Sequence, residues 1–197
     1  MTSAYLTLVG WLAQVPFWEA KPPHEWTDEE IHRVLAASPW VKTVAVRTPG
    51  GSVPGVFVYL ATARPIRAAE QELRRRRDPP APEDPAPAEY EEFLGQNEGK
   101  YVVLAVRVDN PSALADAGQS RRMEQECVMI ADRDRFRLVG HFPPTPSDPY
   151  LRLVFPRPAR RDFRRLRFDL YLPTAVFPYR TVEFDVSELH YQGKPEY

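Results

Sequence analysis

The chain has 197 residues, with 26 Lys+Arg against 27 Asp+Glu and a formal net charge of -1. That length suits one domain, or one domain with appendages, and is ample for a hydrophobic core. A hydrophobic fraction of 43% and a charged fraction of 27% exclude wholesale disorder and a polytopic membrane protein, and balanced charge argues against a dedicated DNA- or RNA-binding protein.

The first expected element is apolar. Nothing before Glu19 is charged, and residues 4–13 have the length and polarity of a signal-peptide h-region, though no basic segment precedes them. Three readings compete for residues 1–16: a signal-like segment, an interfacial or anchoring helix giving peripheral membrane association through residues 4–18, and a packed first element. In each, the folded part begins near Phe17 and Trp18, and residues 17–197 form one domain.

Residues 26–37 predict a helix. Thr27 can cap it while Glu30 reaches back, a capping box. Asp28, Glu29 and Glu30 complement the helix dipole, and Ile31, Val34 and Leu35 form one apolar stripe. Pro39 ends it. Val44 and Val46 then alternate with Thr43, Ala45 and Arg47, so a strand is expected, followed by a turn at residues 49–52 and a second strand over 53–60. Residues 65–76 read as a helix, with Ile66, Ala69 and Leu73 at spacings of three and four. Five prolines between 77 and 87 then predict an exposed proline-rich loop near 78–88 inside the domain.

A short helical stretch near 90–94 leads to the strongest strand, residues 101–108, apolar on both faces until Arg107 and therefore expected at the centre of a sheet. Residues 110–117 read as a turn or brief helix. Residues 127–130 and 136–139 read as strands around the turn 132–134, with a rigid break at residues 143–146. In the last third, residues 153–155 form a strand ending at Pro156. Leu166, Phe168, Leu170 and Leu172 share one face, opposite Arg165, Arg167, Asp169 and Tyr171. Val182, Phe184 and Val186 alternate in the same way, so the two segments are expected as antiparallel neighbours. The fold class is thus α+β: mainly an antiparallel β-sheet or sandwich of about seven to nine strands, with a few short helices packed on one side.

No catalytic constellation emerges. The four histidines are scattered, without metal-ligand spacing, and neither a metal nor a cofactor is expected. The single Cys, Cys127, sits in an apolar strand and reads as a buried thiol. Arg157, Arg160, Arg161, Arg164, Arg165 and Arg167 fall within eleven residues, interleaved with Phe163. Arginine beside aromatics can grip phosphate or another anion, which makes Arg152, Arg157, Arg160, Arg161 and Arg164 candidate ligand-binding residues. Against this, cross-strand pairing with Glu183 and Asp185 accounts for Arg165 and Arg167. The run Arg74 to Arg77 closes a helix, where cations suit the dipole, and Glu83, Asp84, Glu89, Glu91 and Glu92 can balance it across the loop. Trp18, Trp26 and Trp40 bracket the first long helix, either sealing it against a sheet or forming an interaction patch.

Phe17-Trp18-Glu19-Ala20-Lys21-Pro22-Pro23, then Glu25 to Glu30 and Ser38-Pro39-Trp40, together with Phe155-Pro156-Arg157 and Tyr191-Gln192-Gly193-Lys194, resemble segments of uncharacterised exported proteins of Acidobacteria. The resemblance covers about a quarter of the chain. It implies export and carries no activity with it. The leading expectation is a non-enzymatic module of the cell envelope, periplasmic or at the cell surface, structural or binding another envelope protein. The alternatives are an anionic small-molecule or phosphate-binding domain using the arginine segment, and a hydrolase around His141 or His190.

Overall fold

The computed structural model describes residues 15–48, 51–76, 86–175 and 177–197. Almost all of the apolar segment at 1–16, the turn residues Pro49 and Gly50, and most of the proline-rich stretch lie outside the described residues.

A four-residue helix α1 (Phe17–Ala20) and a 3-10 turn (Pro23–Glu25) lead into α2 (Asp28–Ala37). The expected capping box forms: the Glu30 N–H donates to Thr27 Oγ1 at 3.2 Å, and the Thr27 N–H donates to Glu30 Oε2 at 2.7 Å. Ile31 and Val34 are buried, and the helix stops one residue before Ser38-Pro39. Strands β1 (Val41–Thr48) and β2 (Gly51–Leu60) pair antiparallel, with a register shift between Val44 and Val46. Two helices follow, α3 (Arg64–Arg76) and α4 (Ala86–Gln96), and then β3 (Tyr101–Arg107).

Beyond a 3-10 turn (Pro111–Ala115) lies α5 (Ala117–Glu126), a helix that the apolar pattern does not announce because Met123 is its one buried side chain. Next come β4 (Val128–Ala131) and β5 (Asp134–Arg137), joined through Asp132 with a φ of 50°, and β6 (Gly140–Phe142). The chain finishes with β7 (Tyr150–Pro156), β8 (Arg165–Tyr171), β9 (Tyr179–Asp185), β10 (His190–Tyr191) and β11 (Lys194–Pro195). Nine strands build two main sheets, ordered β1-β2-β3-β7-β6 and β5-β4-β8-β9, and β10-β11 form a separate ribbon. Every pairing is antiparallel.

β3 is the central strand of its sheet, as its two apolar faces require, and residues 102–106 are all buried. One face, carrying Val102, Leu104 and Val106 with Phe155, Leu153 and Leu151 opposite them, turns to the second sheet. The Phe155 and Phe168 rings meet there at 5.4 Å between centroids, and Phe168 continues to Phe184 at 6.1 Å. The other face, with Tyr59, Ala105 and Arg152, lies under α3 and α4. The architecture is therefore helices over a five-stranded sheet over a four-stranded sheet, an α+β sandwich. The far face of the second sheet is wet, because Arg165, Arg167, Thr181, Glu183 and Asp185 all stay at least partly exposed.

Among the described residues no helix is long and apolar enough to cross a membrane. Because the Thr27 hydroxyl satisfies an orphan N–H at the start of α2, Thr27→Ala is expected to lower unfolding free energy by about 1 kcal/mol in a urea titration, while Thr27→Asp retains most of it.

Candidate functional site

The arginines singled out by sequence do not gather in one place. Arg152 points from β7 toward the helices and is buried, with Nη1 2.6 Å from Asp148 Oδ2 and Nη2 3.3 Å from Glu70 Oε1. Tyr59 donates its hydroxyl to the same Glu70 oxygen at 2.6 Å, and the Arg152 guanidinium lies 4.4 Å from the Tyr90 ring centroid. Burial works against the Arg152 charge, but Glu70, Tyr59 and Asp148 hold it firmly protonated. Arg152 therefore fastens the helix layer to the sheet and is not part of a surface site. Arg160 is exposed and forms a two-pronged pair with Asp162 at 3.0 and 2.9 Å. Arg164 is also exposed, and its backbone N–H donates to Asp132. Of the wet-face pair, Arg165 reaches Glu183 diagonally at 3.5 Å, whereas Arg167 takes Asp169 of its own strand at 3.0 Å. Asp185 is engaged by Ser187 instead.

Arg157 and Arg161 do converge, with two arginines that composition alone left unremarked. A cleft of about 280 Å³ is lined by Arg64, Arg67, Arg157 and Arg161, with Phe93 and Tyr101 among its walls. It opens at the end of the five-stranded sheet where β2 finishes, β3 begins and β7 finishes. Local hydrogen bonds fix this end. The Ala61 N–H donates to the Val103 carbonyl at 2.8 Å, and Thr62 Oγ1 accepts from the Val103 N–H at 3.1 Å. Asn97 turns its amide back to the Phe93 carbonyl at 2.9 Å, and Gly99 takes a φ of 73°, a left-handed conformation that glycine adopts without a Cβ penalty. The Arg157 N–H then donates to the Lys100 carbonyl at 2.9 Å, which ties the exit of β7 to the approach to β3.

Glu196 supplies the missing cap of α3. Its carboxylate accepts from the Arg64 N–H at 3.0 Å and from Arg64 Nε at 2.9 Å. Its own backbone is held from two sides, by the Leu189 carbonyl at 2.7 Å and by the Trp40 indole N–H at 2.7 Å. Arg64 is thus neutralised, and its guanidinium also lies 4.9 Å from the Tyr191 ring centroid. Arg157 donates to the backbone oxygen of Tyr197 and packs 4.9 Å from that ring's centroid. Burial lowers the Arg157 pKa below the usual arginine value, so its charge is held under desolvation stress. Arg67 and Arg161 form no ion pair within the described residues, and the Nε atoms of Arg67 and Arg157 are buried without a partner. Phe93 stacks on Tyr101 at 5.4 Å with 29° between planes, giving the cleft an aromatic wall.

Arg64 and Arg67 were legible in one respect. Cations three residues apart in the first turn of a helix oppose its dipole, so their placement there asks for a nearby anion, and Glu196 answers for only one of them.

Other expectations resolve as follows. Trp26 and Trp40 are buried and Trp18 is half-buried against Trp40 at 5.9 Å, so the three indoles fill the core around α2 and present no exposed patch. Arg74 pairs with Glu91 across the proline-rich connection, Arg75 with Glu72, and Arg76 with Asp28 and the Trp26 carbonyl. His141 Nδ1 lies 3.5 Å from Glu124 Oε1, His190 Nδ1 lies 3.0 Å from the Ser187 carbonyl, and neither histidine borders the cleft. No group of three or more metal-ligating side chains forms among the described residues. A second, broader groove on the wet sheet face holds Arg133, Arg165 and Arg167 beside Asp132 and Glu183, and there Arg165 is paired with Glu183 and Arg167 with Asp169.

No family model matches the chain, and no curated protein matches it. Among solved structures, a crystal structure of a protein of unknown function from Burkholderia pseudomallei K96243 is similar over 80% of this chain and 84% of that one, at 13% identity and a TM-score of 0.41.

Two titrations test the buried chemistry. Burial pushes the Cys127 thiol up to about 11, so a thiol reagent at pH 8 should label Cys127 only as fast as the chain unfolds. Burial also raises the Glu70 carboxyl above its ordinary value, with Arg152 countering only in part. A carboxyl whose folded pKa is raised contributes stability at low pH and loses it as pH rises through that pKa. The stability of the protein relative to Glu70→Gln should therefore fall as pH rises above the ordinary carboxyl range in paired denaturant titrations.

Proposed function

We propose that the protein binds a small anionic ligand in the cleft between α3, α4 and the segment after β7. The observation that supports this reading is that Arg67 and Arg161 line one cavity without an ion pair among the described residues, while beside them Arg64 is satisfied by Glu196 and Arg157 donates to the Tyr197 backbone oxygen. Like charges gathered at a partly desolvated site repel. An anion accepting from the guanidinium N–H groups that face the cavity relieves that repulsion, and planar arginine is the side chain best matched to carboxylate or phosphate oxygens. The start of α3 faces the same space and adds a favourable dipole. Of the residues that the sequence nominated, Arg157 and Arg161 carry this reading, whereas Arg152, Arg160 and Arg164 do not. Placement in the envelope and a protein partner rest on the sequence alone.

The test is calorimetric titration with inorganic phosphate, sulfate and benzoate. At least one should bind and raise Tm. Arg67→Ala and Arg161→Ala should each weaken that binding about tenfold or more, whereas Arg160→Ala, which removes an exposed arginine paired with Asp162, should leave it unchanged. No binding of any of the three anions overturns the proposal.

A further inference from the structure

Resting on that anion-binding reading, we infer that the cleft selects a small free phosphomonoester in its dianionic form, with an aromatic or apolar body. Charge comes first. Arg64 is answered by Glu196 and Arg157 donates to the Tyr197 oxygen, which leaves Arg67 and Arg161 as two guanidiniums of the lining with no ion pair among the described residues, Glu98 being the other acidic side chain there. A monocarboxylate leaves one of these uncompensated, and a phosphomonoester above its second pKa matches both. Geometry agrees, because three guanidiniums approach from two separate elements, Arg67 from α3 and Arg157 and Arg161 from the segment after β7. A flat carboxylate has two oxygens to share, whereas a phosphoryl group offers three terminal oxygens in different directions.

Size and lining set the rest of the ligand. At about 280 Å³ the cleft is at or just below the small end of ligand pockets, so it admits a compact ligand and not a folded partner. Phe93 and Leu94 from the end of α4, with Tyr101 stacked on Phe93, supply an apolar wall. An aryl or short aliphatic group carried by the phosphate meets that wall.

The ligand's own proton provides the readout. The ionisable groups facing the cavity are Arg64, Arg67, Arg157, Arg161, Glu98, Glu196 and Tyr101, with Tyr197 packed against Arg157, and no histidine is among them. A phosphomonoester loses its second proton near pH 6, while a sulfonate is a monoanion throughout. Phenyl phosphate, benzenesulfonate and inorganic phosphate are therefore titrated calorimetrically into the full chain at pH 5.0 and pH 7.5. Phenyl phosphate should tighten roughly tenfold between the two pH values, benzenesulfonate should stay flat, and phenyl phosphate should bind more tightly than inorganic phosphate. Arg161→Gln, at an exposed position, should weaken phenyl phosphate more than benzenesulfonate.

Equal, pH-independent binding of phenyl phosphate and benzenesulfonate overturns the dianion assignment and leaves anion binding standing. No binding by any probe removes both. Tighter binding of a phosphotyrosyl hexapeptide than of phenyl phosphate overturns the small free ligand in favour of a protein partner.

Discussion

The constraint from which the architecture follows is a strand with no wet side. Residues 102–106 of β3 are buried without exception, so both faces of the sheet around it need a cover. The four-stranded sheet covers one through the Phe155–Phe168–Phe184 rings, and α3 with α4 covers the other. Two covers leave only the strand ends open. At one of those ends the cleft forms, because the turns there carry arginine and the cover of α4 stops at Gln96.

Local rules were readable from the residues wherever the pattern and the physics shared one scale. The Thr27–Glu30 box, the alternation through residues 166–172 and the all-apolar run at 101–108 each concern neighbours within a few positions, and the structure places them as the pattern requires except at Tyr171, which the alternation leaves wet and which is buried beneath Arg122 of α5. Long-range matters were not legible. α5 hides because one buried Met123 makes no stripe. Arg152 reads as part of a basic run, yet its partner Glu70 is 82 positions away. Half of the cleft's arginines come from α3, a helix whose basic character is spread along its whole length, so nothing in composition separates Arg64 and Arg67 from Arg74 to Arg76.

Arginine serves two opposed purposes in this molecule. At Arg152 the charge is sealed between layers and answered by two carboxylates and a tyrosine-bonded network, so that its removal would strand Glu70 and Asp148. A buried pair of that kind gives little net stability, and breaking it costs far more because a buried charge is left unanswered. In the cleft the same side chain is gathered without enough acid to answer it. The difference lies in what surrounds each group: two carboxylates at Arg152, and no ion pair among the described residues at Arg67 and Arg161.

The clamps on either side of the proline-rich connection have a consequence for how this chain tolerates change. Arg76 grips Asp28 and the Trp26 carbonyl at one end, and Arg74 holds Glu91 of α4 near the other. With both shores fixed by charge, the span between them is relieved of any duty to align the helices. Doubling such a span costs only about 0.6 kcal/mol in closure entropy. Lengthening that span is accordingly expected to leave the packing of α3 and α4 on the sheet in place.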